Sequence, residues 1–497
     1  MNANGRLACL LNQAMQTGPG SVSPDMFKRI CAAIPLLLWC ALAPAATLPE
    51  IDAEIARIRS QHGVAGVAAV VVDRDAIVLQ HYSGVQNWDT AVPVTAATWF
   101  RAGSVTKVFT GLALLAAQRQ GHIDIDAPVA AQLPPRPPGE DLPFQNPWEA
   151  EHPLYVADLM EHTAGWFDMS RAEFGSQDPA PLTLERALAV RPQSRRSHWP
   201  PGMHSVYSNS GPGMAAWLVE RRSGESFDQL MQKTVFGPLG MDASLRLEPS
   251  MEDTLATGYD TDGVSVIPYW HILYRPSGGL NLRPLAMARF LQMMLNGGRL
   301  DGRQVFSAAQ LHRLQTPTRS LAARAGMKFG YGLGIYTSIH RGHVLYGHGG
   351  DGDGYLAHFA YSLESGRGYF VVINAFSHPP LRALKTLLAD ALIQNLAPLE
   401  APPVAPLALP LLEKYSGTYH LAATRFPAAN WRERSMRITL QQGALLVHHQ
   451  GGQDHRIVPL GSQLFRRPGE PVATRAFIQL ENGSIVYQEP DDNWLKQ

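Results

Sequence analysis

The sequence predicts an α+β fold: one antiparallel sheet flanked by helices, with a helical region inserted into it, followed by a small all-β domain. Three observations predict it. A helix and two strands are patterned near residue 50, and strands followed by a helix return between residues 343 and 396. Beyond a proline-rich stretch, residues 411–497 show only short strand patterns separated by turn residues.

In chain order, LPEIDAEIARIRSQHG sets Ile51, Ile55 and Ile58 at helical spacing. GVAAVVVDRDAIVLQHYSGV reads as two strands about a turn at Asp73-Arg74-Asp75. Residues 104 to 330 carry helical patterns and long loops, including the proline-rich surface loop LPPRPPGEDLPFQNPWEAEHP at 133–153. HVLYGHGG and YLAHFAYSLESGRGYFVVIN then give strands around a Glu-Ser-Gly-Arg-Gly turn, and LRALKTLLADALIQNL gives the last helix of the block. Both ends of the block feed one sheet, so residues 47–396 are expected to form one domain. APLEAPPVAPLALP, residues 397–410, is a proline-rich linker, and residues 411–497 form a small β-barrel-like domain. No internal repeat is present.

At the start, MFKRICAAIPLLLWCALAPAA places Lys28 and Arg29 before a short apolar run and small residues ending at Ala45 and Ala46. This is the layout of a secretory signal over residues 1–46, with Met26 as a candidate true start. The run is too short for a stable span, and an uncleaved interfacial anchor is the alternative. Export to the periplasm or medium follows, with no integral membrane span after cleavage. Cys9, Cys31 and Cys40 all precede the cleavage point, which leaves the mature chain no disulfide, cysteine nucleophile or thiolate metal site. Bulky Trp39 argues against lipid attachment at Cys40. Lys+Arg and Asp+Glu both number 42, a balance that steers the protein to neither nucleic acid nor an anionic membrane. A small-molecule or peptide substrate fits it.

FRAGSVTKVFTGLALLAAQRQG, residues 100–121, carries the first chemical signal. Leu112 and Leu115 repeat at helical spacing and Gly121 closes the segment, so Ser104 stands near a helix start. Lys107 lies three residues on, on the same face, within reach of the Ser104 hydroxyl. A serine is a poor nucleophile without a base, and a lysine becomes a base once burial or a neighbouring cation lowers its pKa. The competing reading makes Ser104 a helix cap and Lys107 a surface-seeking side chain. PPGMHSVYSNSGPGM holds the one Tyr-x-Asn of the chain, Tyr207 and Asn209. A phenol beside an ammonium ionises more readily and can take the serine proton; the amide can bond both the lysine and a substrate. In YGHGGDGDGY, His348, Gly349 and Gly350 fall on a strand whose glycines let backbone approach a ligand.

Ser-x-x-Lys, Tyr-x-Asn and His-x-Gly in this order resemble the penicillin-recognising serine hydrolases, nearest to the branch of class C β-lactamases with its D-alanyl peptidases and esterases. The flanks GHIDIDAPV, VADLMEHTAGW and SGGLNLRPLAMARFLQMMLNGG agree, and the resemblance covers about residues 50–395. It implies a β-lactamase-like fold and a hydrolase that opens an ester, amide or β-lactam through an acyl-enzyme. Ser104 would be the nucleophile, Lys107 with Tyr207 its base, and Asn209 the group orienting lysine and substrate. The N–H groups of Ser104 and of Asp351, just after Gly350, would form the oxyanion hole. Neither a cofactor nor a metal is implied. The Ser-Asp-Asn and Lys-Thr-Gly segments of another branch are missing, so a glutamate-and-water version is not implied.

His348 departs from the pattern, because dedicated β-lactamases carry a lysine there. A histidine is mostly neutral at pH 7, so ester or amide hydrolysis becomes at least as expected as β-lactam hydrolysis. Activity on carboxylate-bearing substrates is expected to improve below about pH 6.5. Two other readings stand: a catalytically inactive binding protein for peptidoglycan or a protein partner, and an acyl transferase. His162 in EHTAGW reads as structural, and Trp166 as packing or pocket lining. DGDG at 351–354 resembles a calcium loop, but Tyr355 and Ser362 occupy the places of acidic ligands. His343, His348 and His358 are too loosely spaced for zinc, and no Gly-x-Ser-x-Gly elbow occurs.

Overall fold

Ile51, Ile55 and Ile58 form the buried stripe of helix α1 (Leu48–Gln61), whose first turn is closed by the Glu50 carboxylate accepting from Thr47 N–H at 2.7 Å. The computed structural model describes residues 47–133, 143–180, 182–397, 399–490 and 492–497; the expected signal segment and part of the 133–153 loop lie outside the described residues. Strands β1 (Gly66–Asp73) and β2 (Ile77–Gly84) follow α1. The inserted region then supplies β3 (Phe100–Gly103), α2 (Thr106–Arg119), α3 (Ser210–Ser223), β4 (Leu280–Leu282) and α4 (Ala286–Leu295). The block closes with β5 (Tyr336–His340), β6 (His343–Gly352), β7 (Tyr355–Ser362), β8 (Arg367–Ile373) and α5 (His378–Ile393).

The six strands form one antiparallel sheet in the order β5-β6-β7-β8-β1-β2. Its two sequence-distant halves meet where β1 pairs with β8, from Val67↔Ile373 to Asp73↔Arg367. Side chains alternate across a strand, and β1 uses both faces. Val67, Ala69 and Val71 pack with α1 and α5, while Ala68, Val70 and Val72 join the larger core containing α2 and α4. A strand apolar on both faces reads as a continuous Val/Ala run, as it does here. The sheet of both chain ends and the inserted helical region are as the sequence predicts. Strand β5 is additional. Its Thr337, Ser338 and His340 break the apolar pattern, and Arg341 turns into β6 at φ +45°.

Helix α6 (Leu409–Tyr415) leads into eight antiparallel strands that form a closed barrel. They are β9 (Gly417–Ala423), β10 (Ser435–Gln441), β11 (Ala444–His449), β12 (His455–Pro459), β13 (Leu464–Arg466), β14 (Arg475–Gln479), β15 (Ile485–Gln488) and β16 (Asn493–Lys496). Pairing of β9 with β16 closes it, which leaves no open sheet edge. Tyr419, Ile438, Val447, Phe465, Phe477 and Tyr487 fill its interior. The proline-rich stretch before α6 is tied down: Ala405 N–H donates to Pro459 O (3.0 Å) and Arg466 Nη2 to Pro402 O (2.6 Å).

Barrel and sheet-bearing body share an apolar seam. Leu321, Ala322, Met327 and Phe329 of the body pack with Ala476, Ile478 and Val486 of the barrel. Gln488 crosses the seam, accepting from Ala322 N–H (2.6 Å) and donating to Met203 O (3.0 Å). Residues 47–497 form one compact unit. Among the described residues, no helix is long and apolar enough to cross a membrane.

Candidate active site

Ser104 stands in the tight turn between β3 and α2. Thr106 Oγ1 donates to Gly103 O (2.6 Å) and Lys107 N–H to Ser104 O (3.0 Å), which winds the chain from strand into helix. Strand β3 is anchored by β4, with Phe100 opposite Leu282 and Gly103 opposite Leu280. Two glycines let this turn sit against β6. Gly103 has φ +52°, and a Cβ there would lie 2.6 Å from Asp351 O. A Cβ on Gly350 would lie 1.8 Å from Ala102 O and 3.3 Å from Ser104 N. The Ser104 N–H, which donates to no described acceptor, thus lies beside the Gly350–Asp351 backbone.

Helix α2 is buried on all sides from Thr106 to Ala117, and Lys107 on it is 0% exposed. Its ammonium nitrogen gathers three oxygens: Ser277 O at 2.6 Å, Asn209 Oδ1 at 2.7 Å and Ser104 Oγ at 3.0 Å. It also lies 4.8 Å from the centre of the Tyr207 ring. Burial drives the Lys107 pKa well below its usual range; Asp168 and Asp351 pull it upward and Arg425 pushes it further down. The Tyr207 phenol interacts with the Ser104 hydroxyl, yet burial raises its pKa. The sequence suggested a phenol that ionises readily. Here burial moves the two groups in opposite directions, the lysine down and the phenol up.

Asn209, just before α3, is held by a carboxylate. Asp168 accepts from Asn209 N–H (2.7 Å) and from Asn209 Nδ2 (3.0 and 3.1 Å), which turns the amide oxygen toward Lys107. Ser277 Oγ donates to Asn209 O at 2.5 Å. Arg425, on the loop after β9, donates through Nε to Asp168 Oδ2 (2.8 Å), and its guanidinium lies 4.6 Å from the Tyr207 ring centre.

His348 sits across the cleft on β6, only 3% exposed. Its Nδ1 lies 2.5 Å from Gly349 O, an obligate acceptor, so Nδ1 carries the proton. Nε2 must then accept from the Tyr331 hydroxyl at 2.6 Å. Burial pushes the His348 pKa down to about 3. This corrects the expectation of an acid-activated carboxylate holder: the imidazole stays neutral far below pH 6.5, and both ring nitrogens are occupied.

Ser104, Tyr207, Asn209, His348 and Asp351 line one cavity of about 350 Å³, together with Ser277, Tyr336 and Arg425. Lys107 lies beneath its floor. His162, at φ +59°, accepts from Ser208 N–H (3.3 Å) and lies against the Tyr207 and Tyr331 rings at 4.3 and 4.4 Å. Trp166 is buried in the core and does not line the cavity. His343 and His358 have their own partners, Glu364 for the first and Tyr336 and Tyr369 for the second. Among the described residues, the one group able to gather on a metal ion is His449, His455 and Glu489, on the barrel, where Arg475 lies 3.9 Å from Glu489. Asp168, Ser277, Tyr331 and Arg425 escaped the sequence reading. Only Ser277 left a trace there, as the first residue of the Ser-Gly-Gly flank.

Comparison with known proteins places this arrangement. The family described as Beta-lactamase matches residues 51–393. Penicillin-binding protein 4 of Amycolatopsis lactamdurans is 28% identical over 62% of this chain and 80% of its own length. A beta-lactamase of Yersinia enterocolitica is 28% identical over 47% of this chain, which spans about half of that relative (55%). A D-aminopeptidase of Brucella anthropi is 28% identical over 41% of this chain and 36% of its own length. Among solved structures, the octameric penicillin-binding protein homologue from Pyrococcus abyssi shares the fold over 91% of this chain and all of its own (TM-score 0.57, 20% identity). The D-amino acid amidase from Ochrobactrum anthropi shares it over 69% of this chain and 97% of its own (TM-score 0.54, 20% identity). With a sheet built from both chain ends and the family's match running from α1 to α5, the chain belongs to the Beta-lactamase family of hydrolases.

Proposed function

We propose that this protein is a serine hydrolase that opens an amide, ester or β-lactam carbonyl through an acyl-enzyme on Ser104. One observation carries the reading: a fully buried lysine nitrogen with the Ser104 hydroxyl as one of three polar neighbours. A neutral amine has two N–H bonds and one lone pair. Ser277 O and Asn209 Oδ1 can only accept, so they take the two N–H bonds. The lone pair is left facing Ser104 Oγ, which makes Lys107 the base.

Ser104 Oγ attacks the substrate carbonyl carbon as its proton passes to Lys107 Nζ. The oxyanion settles between the N–H groups of Ser104 and Asp351, where the close fit of Gly350 on Ala102 sets the spacing. Tyr207, still protonated and next to Oγ, supplies the proton with which the nitrogen or oxygen leaving group departs. Lys107 then returns a proton to the phenol. Water repeats the sequence on the acyl ester: its oxygen bonds the carbonyl carbon as its proton goes to the amine, the bond to Ser104 Oγ breaks as Tyr207 protonates that oxygen, and Lys107 returns the proton to the phenol. Asn209 holds the amine in register and offers a substrate amide its side chain.

The neutral His348 offers no cation on its side of the cleft, which favours substrates recognised without a carboxylate anchor there. We also infer export, supported by the signal-like layout of residues 26–46.

Fluorophosphonate labelling tests the reading. Wild type is expected to take the label and Ser104→Ala to refuse it, with parallel loss of turnover on nitrocefin, short-chain nitrophenyl esters and D-amino-acid amides. An unlabelled wild type, or a Ser104→Ala variant that still turns over, overturns it.

A further inference from the structure

The sheet-bearing body does not complete its own cleft. Asp168, whose side chain is 2% exposed, fixes the Asn209 amide, and the cation that answers Asp168 comes from the other side of the seam. Arg425 Nε and Nη2 lie 2.8 and 2.6 Å from Asp168 Oδ2, and Asp168 N–H donates back to Arg425 O at 3.0 Å. These contacts join residues 257 positions apart in sequence.

We propose that the C-terminal barrel is part of the reaction centre, with Arg425 as a positioning residue that acts on Lys107 through Asp168 and Asn209. It rests on the reading of Lys107 as the base. Each link has one sensible orientation. Asn209 Nδ2 donates to both oxygens of Asp168, so Oδ1 must face Lys107 Nζ. A flipped amide would set oxygen against carboxylate and N–H against the amine. Asp168 enforces the orientation, and Arg425 holds Asp168 in place while balancing its charge.

The electrostatics run the same way. The groups facing Lys107 are Ser104 and Tyr207 with their hydroxyls, Asn209, the Ser277 carbonyl, His162 and His348, the anions Asp168 and Asp351, and the cation Arg425. Both imidazoles are held neutral by burial. Arg425 is therefore the one positive charge among the groups facing Lys107, set there against two carboxylates. Without it, Asp168 and Asp351 would draw a proton onto the amine.

The test reads Lys107 directly and needs no turnover. Full-length protein carrying ¹³Cε-lysine is titrated by NMR as wild type, Arg425→Met, Arg425→Lys and Asp168→Asn, with Lys107→Arg assigning the resonance. The Lys107 midpoint is expected to rise in Arg425→Met, stay near wild type in Arg425→Lys, and fall in Asp168→Asn. The acid limb of the kcat/KM profile should follow the same shifts, and Arg425→Met should lose about 100-fold at neutral pH. Melting curves identify any variant that fails to fold, and Arg425→Lys with Asp168→Asn then carries the test. Equal midpoints in folded Arg425→Met and wild type overturn the proposal, whether or not the protein is active. Failure of wild type to label with fluorophosphonate overturns the hydrolase reading alone.

Discussion

Lys107, beneath the cleft, and His348, on its wall, are two solutions to burying a basic side chain. Loss of water lowers the pKa of both, and both touch a hydroxyl at 3.0 Å or less. The difference lies in what surrounds the nitrogen. Two obligate acceptors lie on Lys107 Nζ, so that in the proposed neutral amine they take the N–H bonds and the lone pair is left toward Ser104. At His348, Gly349 O claims the one N–H and Tyr331 claims the one lone pair, so the ring has nothing to offer a substrate. Burial makes a neutral base; the count of donors and acceptors around it decides whether that base is free to work.

The contrast is broken most directly by paired substitutions. Lys107→Ala should lower kcat/KM by about 100- to 10,000-fold, whereas His348→Gln should lose only a small fraction of that; equal losses would erase the distinction. Lys107→Arg should not rescue, because a guanidinium cannot give up its proton at working pH.

The pH profile sharpens it. A base must be deprotonated, so kcat/KM should fall about tenfold per unit as pH drops below the lowered pKa of Lys107. Titration of His348 should add no inflection near 6.5. A second inflection there that vanishes in His348→Gln would restore the histidine as a working group.

Acid stability separates the residues next. With a folded-state pKa of about 3 against an ordinary 6.5, His348 binds a proton in the unfolded chain that the folded chain refuses. Its contribution is therefore complete above pH 6.5 and is lost toward pH 3, at about 1.4 kcal/mol per pH unit. Chemical denaturation of His348→Gln across that window should show a shallower slope than wild type.

The smallest effect belongs to Tyr331→Phe. It leaves the buried Nε2 of His348 without a donor and should cost about 1–3 kcal/mol of stability, while kcat changes little.

Most of the architecture was legible because periodicity is local. The Ile51, Ile55 and Ile58 spacing, the Val/Ala run of β1 and the strand pair around Glu364-Ser365-Gly366 state their structure within a few residues. Strand β5 was not legible, since its polar residues face a neighbour that only the folded sheet supplies. In the cleft, Ser104, Lys107, Tyr207 and Asn209 stand out in the sequence because each belongs to a spaced motif. Asp168 in GWFDMS and Arg425 in AATRFPAAN have no such spacing, and their meaning arises only when 257 positions of chain fold back. The titration of His348 was misread for the same reason: a sequence names the imidazole but neither its burial nor the Tyr331 hydroxyl.

The seam of Leu321, Met327 and Phe329 against Ala476, Ile478 and Val486 has a practical corollary. Cutting the gene near residue 400 would yield two fragments, each with a bare greasy face, and both should precipitate or cling to chaperones. Grafting a barrel from a relative onto this body would have to carry over the matching face and the loop at residue 425 together.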